Sequence, residues 1–193
     1  MGWHPAIKTS RLVNSRSSNM TRLQCAALAI LLSIAAISHA EPSVQVGFSP
    51  EGSARKLVLE TIGSAQHSIQ MLAYAFQAPD IVQALIDAKK RGVEVRIVVD
   101  KKRNLGKSSK TAMDLVVLNG VQLRTNEHFH LHHDKTIIVD GNTVETGSFN
   151  FAPSAEKANS ENVVVIRDMA EVSRQYIAHW QSRWELGVPY PQR

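Results

Sequence analysis

The chain has 193 residues, 44% of them hydrophobic, and its 22 Lys and Arg against 17 Asp and Glu give a formal net charge of +5. Four of the basic residues and none of the acidic ones lie in the first forty positions, so residues 41–193 carry 18 minus 17, or +1. The overall charge is therefore no argument for nucleic-acid binding, which must rest on local patches. The single cysteine also lies in the first forty residues, so the rest of the chain needs no disulfides.

The first forty residues have the organisation of a secretory signal peptide. Residues 25–37 (CAALAILLSIAAI) are apolar, follow Arg22 and precede a small-residue exit at 38–40. We predict cleavage after Ala40, a periplasmic or secreted protein, and no stable membrane span after cleavage. The apolar run is short for a transmembrane helix, although an uncleaved N-terminal anchor is the alternative. Met20 would by itself open a well-proportioned signal peptide, so the true start is either Met1 or Met20.

Residues 41–193 are long enough for one domain with its own core. Apolar residues at helical spacing predict a helix over 53–65, and the run SIQMLAYAF predicts a strand over 68–76. Pro79 marks the start of a helix through residue 91, which Gly92 ends before a strand over 93–100. A strand, a helix and a strand joined by short connections predict a parallel, right-handed crossover.

The second half of the chain continues with alternating elements. In order, they are a basic loop over 101–110, a helix over 111–118, strands over 121–125, 132–139, 142–146 and 161–166, and a helix over 168–186. Asp140-Gly141 lies between two of these strands and is a hairpin signal. The predicted fold class is α/β, with a mixed, largely parallel sheet flanked by helices on both faces.

One short pattern carries the chemistry. His133, Lys135, Asp140 and the segment 147–150 (GSFN) together read H-x-K-x4-D-x6-G-S-x-N. Average residue usage would produce these six identities by chance in a chain of this length on the order of once in a million. The pattern is therefore a strong indication of a specific site.

The residue types suit transfer of a phosphoryl group. Side chains two apart on a strand share a face, so His133 and Lys135 are expected to point into the same site. An imidazole is a competent nucleophile near neutral pH, and a lysine supplies a point charge for a phosphate oxygen. Ser148 and Asn150 can donate hydrogen bonds as charge develops, so the site requires no metal and no other cofactor.

With these residues the chain resembles the phospholipase D superfamily, and most closely its small bacterial Nuc-type endonucleases. The resemblance extends from the SIQMLAYAF segment through GSFNFAPSAEKANSEN to the last predicted helix. It implies a covalent phosphohistidine at the nucleophile, His133. It also implies phosphate binding by Lys135, Ser148 and Asn150, and structural roles for Asp140 and Gly147. Glu161 would orient the ring of the nucleophile.

The chain contains one such motif, whereas larger members of the superfamily carry two. The implied reaction needs one histidine as nucleophile and another to protonate the leaving oxygen. A twofold homodimer with a shared active site, to which each subunit contributes His133, would supply both.

Two neighbouring features have a functional and a structural interpretation. His128, His130 and His132 alternate before the motif and would share a face on a strand, where they form either a metal site or a polar wall. The 101–110 loop, with five basic residues, is either a contact for nucleic-acid phosphates or a solvated connection. Its position after a strand favours the functional interpretation, because ligand-binding sites of α/β proteins form at the carboxyl ends of strands.

Three functions remain open at this point. The first is a metal-independent, nonspecific endonuclease that cleaves DNA or RNA. The second is a phospholipase D that hydrolyses phosphatidyl head groups, although the chain shows no evident interfacial helix with a large apolar face. The third, a binding module with an inactive site, is disfavoured by the complete motif.

Overall fold

A computed structural model describes residues 1–2 and 41–192. The predicted signal peptide and its cleavage site after Ala40 lie outside these described residues. Within them, no helix is both long and apolar enough to cross a membrane.

Residues 43–189 form eight strands and five helices in the described part of the chain. In order they are β1 (Ser43–Ser49), α1 (Ser53–Ser64), β2 (Ser68–Ala73), α2 (Pro79–Lys90), β3 (Glu94–Asp100), α3 (Lys107–Leu118), β4 (Gln122–Asn126), β5 (Lys135–Val139), β6 (Thr143–Gly147), α4 (Pro153–Lys157), β7 (Glu161–Arg167), α5 (Ala170–Glu185) and β8 (Val188–Pro189). The strands make a single sheet in the order β1-β7-β6-β5-β2-β3-β4-β8.

The sheet is mixed, as predicted, but it is not largely parallel. Only β2, β3 and β4 are parallel neighbours, and the other five pairings are antiparallel. The parallel pairs belong to the crossover units that contain α2 and α3. Antiparallel pairing prevails elsewhere: β5 and β6 are joined by a turn over 140–142 that is too short for a crossover, and β7 returns to pair with β6.

Helices cover both faces of the sheet, which confirms that part of the predicted fold class. On one face, α1, α2 and α3 pack onto the sheet through the main core, which includes Val58, Leu85, Val116 and Ile137. On the other face, α5 places the fully buried Trp180 on Leu72, Val98 and Ile138. The indole N–H of Trp180 donates a hydrogen bond to the carbonyl oxygen of Met71 at 3.3 Å.

The hairpin predicted at Asp140-Gly141 is present between β5 and β6. Asp140 has φ of 51° and Gly141 has φ of 71°. Two successive residues with positive φ are the signature of the turn whose twist matches that of the two strands. The turn brings Asp140 back toward the start of β2.

Several element boundaries differ from the prediction. Strand β5 starts at Lys135, not at residue 132, and the backbone N–H of His132 donates to the carboxylate of Asp100 at 2.8 Å instead of to a neighbouring strand. Helix α3 starts at Lys107, so the basic loop is shorter than predicted. Strands β1 and β8 and the five-residue helix α4 were not predicted; β8 and α4 are short, whereas the alternation of Val44, Val46 and Phe48 in β1 was a signal that the prediction missed.

Candidate active site

The motif residues meet at one edge of the sheet, where β2, β3 and β6 end and β5 and β7 begin. A cavity of about 590 Å³ opens there. It is lined by His133, Lys135, Gly147, Ser148, Asn150, Glu161 and Asn162. The structure thus brings together six of the seven site residues predicted from the sequence, and Asp140 lies at the opposite end of β5.

The imidazole of His133 lies between a lysine and a tyrosine. The Nζ of Lys135 is 3.3 Å from Nδ1 and 3.4 Å from Nε2 of His133, and it donates a hydrogen bond to the carbonyl oxygen of His133 at 2.7 Å. The ring of Tyr74 packs against the imidazole with centroids 4.4 Å apart. Tyr74 also contacts the ammonium of Lys135, 5.3 Å from its ring centroid. The ring of His133 is therefore exposed to solvent but constrained on two sides.

Lys135 is an unusual lysine because only 6% of its surface is exposed. Burial lowers the pKa of Lys135, and the charges of Glu161 and Asp134 oppose this shift. A cation that is removed from water and has few counter-charges is poised to bind an anion. A phosphate oxygen would supply the missing counter-charge.

The side chain of Ser148, which follows β6, is positioned by Asn162 of β7. The hydroxyl oxygen of Ser148 accepts hydrogen bonds from the backbone N–H of Asn162 at 3.0 Å and from its side-chain amide at 3.4 Å. Its own proton is therefore free to be donated to a ligand. The preceding residue must be glycine, because a Cβ at Gly147 would lie 2.2 Å from the carbonyl oxygen of Asn162.

Asn150 and Glu161 complete the lining of the cavity. The Oδ1 atom of Asn150 is buried and has no hydrogen-bond partner among the described residues. An amide oxygen only accepts, so a phosphate oxygen would have to be bound by the NH2 group of the same side chain. Glu161 accepts a hydrogen bond from the side chain of Asn159 at 2.9 Å.

Asp140 ties the β5–β6 turn to the segment that leads into β2. Its two carboxylate oxygens accept hydrogen bonds from the backbone N–H groups of Gln66, His67 and Ser68 at 2.8–2.9 Å. Partial burial alone would raise the pKa of Asp140, but the three N–H donors together lower it below its usual value. This geometry is one of structural support at a distance from the cavity.

Sequence reasoning missed two residues that anchor the segment around His133 through hydrogen bonds. The buried carboxylate of Asp100 accepts hydrogen bonds from the backbone N–H groups of His132 at 2.8 Å and Arg103 at 2.6 Å. The buried side chain of Asn104 donates to the carbonyl oxygens of Tyr74 and Asp100 at 2.8 and 2.7 Å. A signal was available for Asp100, since a carboxylate ending a parallel strand lies where α/β sites form.

The histidine run does not form the shared face that the sequence suggested. Residues 128–134 lie outside any strand, His128 and His130 are exposed, and His132 is 1% exposed. Burial lowers the pKa of His132, against the opposing charges of Asp134 and Asp100. Among the described residues, no group of three or more His, Cys, Asp or Glu side chains is arranged to hold a metal ion.

The described residues form other cavities, and two of them bear on the choice of site. One of about 510 Å³ adjoins the site on the α5 side and also includes His133 in its lining. A larger one, of about 820 Å³, lies between α2 and α3 and is lined by side chains such as Val82, Ile86 and Leu115. The chemistry of the motif residues, and not the size of a cavity, makes the cavity that contains Ser148 and Asn150 the candidate active site.

A model of the family described as "Cardiolipin synthase, PLD-like domain" matches residues 58–184. The chain belongs to the phospholipase D-like family. A protein named Phospholipase D from Rickettsia prowazekii (strain Madrid E) is 34% identical over 174 residues, which cover 90% of this chain and 80% of that protein.

Two solved structures have the same fold. Nuc from Salmonella typhimurium, a phospholipase D family member, is 56% identical, with a TM-score of 0.78 and coverage of 79% of this chain and all of that one. NucT from Helicobacter pylori is 23% identical, with a TM-score of 0.68 and coverage of 78% of this chain, and shows the fold alone. The chain is accordingly a hydrolase of phosphodiester bonds, either a nuclease or a phospholipase D.

Proposed function

We propose that this protein is a metal-independent phosphodiesterase that works through a phosphohistidine intermediate and cleaves DNA or RNA without sequence specificity. The observation that carries the proposal is the contact between the His133 ring and the Nζ of Lys135 within the cavity that also holds Ser148 and Asn150. Nucleophile, cation and neutral donors are thus within reach of one phosphate group.

The reaction follows from this arrangement. Lys135, Ser148 and Asn150 bind the non-bridging oxygens, and a ring nitrogen of His133 attacks the phosphorus. A nitrogen–phosphorus bond forms as the bond to the leaving oxygen breaks, and that oxygen takes a proton from a second histidine. Water then attacks the phosphorus and gives its proton to the second histidine, now neutral; the nitrogen–phosphorus bond breaks, which returns His133 and releases the phosphate monoester. Glu161, within the same cavity, contributes to the charge balance around Lys135.

The loop after β3 favours nucleic acid as the substrate. Lys102 and Arg103 are exposed there, and the guanidinium of Arg103 lies 5.8 Å from the ring centroid of Tyr74, beside the nucleophile. Basic side chains at the mouth of a phosphate site can contact neighbouring phosphates of a polynucleotide. The similarity to Nuc, at 56% identity, points in the same direction.

A phospholipase D activity is the second candidate. Two large apolar side chains in loops that adjoin the site, Leu105 and Leu131, are 58% and 46% exposed and could contact a lipid surface. A relative from Rickettsia bellii (strain RML369-C), 38% identical over 140 residues, is named Phospholipase D. The phosphate chemistry would be the same, so the substrate distinguishes the two functions.

We propose further that the active unit is a twofold homodimer. Val44, Val46 and Phe48 of β1 are each more than half exposed, and they share a sheet face with Val164 and Ile166 of β7. Such an apolar strip is characteristic of an interface. The strip reaches the site, because Phe48 is paired in register with Asn162, which lines the phosphate cavity. A second copy packed there would bring a second His133 close to the first.

The signal-peptide prediction extends the proposal to location. Cleavage after Ala40 would release residues 41–193 to the periplasm or the medium. Edman sequencing or intact mass of the protein recovered outside the cytoplasm measures the new N-terminus, and a protein that retains residues 1–40 would contradict it.

The decisive experiment uses purified protein in chelator with plasmid DNA, RNA and phosphatidylcholine vesicles as substrates. We expect cleavage of both nucleic acids, and loss of at least about 10³-fold in rate for His133→Ala. The control is His67→Ala, since the side chain of His67 is exposed and remote from the cavity. Release of choline without cleavage of nucleic acid would establish the second candidate. Full activity in His133→Ala would overturn the mechanism.

A further inference from the structure

The second cavity, on the α5 side of His133, has a lining that the phosphate chemistry does not use. Its volume is about 510 Å³. The lining consists of His133, Asp134, Lys135, Thr136, Thr146, Gly147, Gln175, Tyr176 and His179. Since His133 lines both cavities, a diester held in the first would extend one of its two arms into the second.

His179 is held at this cavity by Asp134. Its Nε2 lies 3.1 Å from a carboxylate oxygen of Asp134, and since a carboxylate only accepts, Nε2 is the donor. The backbone of Asp134 is itself anchored, because its carbonyl oxygen accepts the N–H of Tyr74 at 2.9 Å. The His179 ring is 35% exposed, so it is oriented by the protein and still accessible to a ligand.

Tyr176 and Gln175 add an aromatic ring and an amide to the same wall. Tyr176 and His179 are three residues apart on α5 and therefore lie on one side of it. Tyr176 also packs against the smaller core around Trp180, which limits its motion. Two pre-oriented rings suit stacking of a flat heterocycle, and the amide suits its polar edge.

We propose that this cavity is a nucleoside subsite, in which Tyr176 and His179 stack with the base next to the scissile phosphate. The inference rests on the proposed nuclease function and deepens it. Stacking is tolerant of base identity, because every base has a π-face, so the subsite would add affinity without sequence preference. His179 and Tyr176 act here as residues for substrate positioning.

The test compares substrates that share one leaving group. Methyl p-nitrophenyl phosphate contains no nucleoside, whereas the 3′- and 5′-(p-nitrophenyl phosphate) esters of thymidine carry one on either arm. We expect the wild type to prefer at least one thymidine ester by kcat/KM. His179→Ala and Tyr176→Leu should each lower that preference at least about fivefold, the lower range of base stacking. Hydrolysis of the methyl ester should stay within about twofold.

Gln181→Ala is the matched control, since Gln181 is an exposed residue of α5 that hydrogen-bonds Glu185 and lies outside the cavity. Tyr176→Leu keeps apolar volume against the core, and thermal unfolding verifies that each variant is folded. An equal loss on all three esters would show that His179 acts through Asp134 on the nucleophile, which overturns the subsite. An unchanged thymidine preference would overturn it as well. Failure of the wild type to cleave nucleic acid while hydrolysing the methyl ester would instead refute the proposed nuclease function.

Discussion

Lys135 and Glu145 are two ionisable side chains on the same face of the same sheet, one row apart. The side chains of Lys135 and Ile137, two residues apart on β5, point to the face that packs on the main core. Ile137 pairs in register with Glu145, so the side chain of Glu145 points to that face as well. Lys135 is at the rim, where its Nζ contacts His133 and Tyr74. Glu145 is one row deeper and 0% exposed, and neither of its carboxylate oxygens has a hydrogen-bond partner among the described residues.

The position of a buried ionisable side chain decides its effect: at the rim of the sheet it can bind a ligand, and one row deeper it affects stability only. At the rim a buried charge retains partners and an opening through which an anion can approach. One row deeper, burial alone raises the pKa of Glu145 to about 8, so the side chain is a neutral acid below that pH. The facing residues are apolar or neutral: Ile137 on β5, Val165 on β7, and on the covering helix α1 the buried set Ala54, Leu57, Val58, Thr61 and Ile62.

Removing the rim cation should have the largest effect. We expect Lys135→Met to lower kcat/KM by about 10³-fold or more, because the charge that binds the phosphate oxygens is lost. Stability should be unchanged or higher, since an incompletely paired buried charge is replaced by an apolar side chain. Steady-state kinetics and urea unfolding measure the two quantities. Lys110→Met, an exposed lysine on α3, is the control, and an equal loss of activity there would contradict the assignment.

For Glu145 we expect the opposite: its substitution should affect stability and leave activity nearly unchanged. Because the folded state holds a proton that the unfolded state releases near pH 4.5, the free energy of unfolding should fall as pH rises from about 4.5 to about 8. The full loss is up to about 5 kcal/mol at 1.36 kcal/mol per pH unit. Glu145→Gln should remove this slope with little change in kcat/KM below pH 7. Urea unfolding at a series of pH values measures it, and parallel curves for the two proteins would contradict the prediction.

Asp140 is a carboxylate with hydrogen-bond partners, in contrast to Glu145. Asp140 accepts three backbone N–H groups, and its pKa is lowered below the usual value, so its contribution is present above the unfolded pKa and lost as pH falls. We expect Asp140→Asn to cost about 1–3 kcal/mol at pH 7 and less at pH 3. Asn tolerates the positive φ found here, so the backbone is preserved. A stability difference that does not depend on pH would argue against this role.

The smallest expected effect is that of a chelator. The proposed chemistry uses Lys135, Ser148 and Asn150 in place of a metal, so millimolar chelator should leave the rate unchanged. Loss of activity that added zinc or magnesium restores would instead indicate a role for His128, His130 or His132. Stopped assays with and without prior dialysis against chelator measure the difference.

The sequence predicted most of the helices and strands around the motif, because their signals are local. Pro79 and Gly92 mark the limits of α2 through the backbone geometry of proline and glycine. Asp140-Gly141 determined its hairpin in the same way. The spacing of His133, Lys135, Ser148 and Asn150 identified the chemistry and the family. These inferences need no knowledge of which element lies beside which.

Tertiary structure alone decided what lies around His133. Tyr74, Asp100 and His179 are separated from His133 by 33 to 59 positions, and their proximity results from the pairing of β2 with β3 and β5 and from the packing of α5. The predominance of antiparallel pairs likewise depends on strand order, which hydrophobic periodicity does not encode. The burial of each side chain also depends on tertiary structure, because alternation of apolar residues predicts which face of a strand is covered but not how deeply a residue on that face is buried. The sequence therefore determined which groups are candidates for the reaction, and the fold determined their partners and their distance from water.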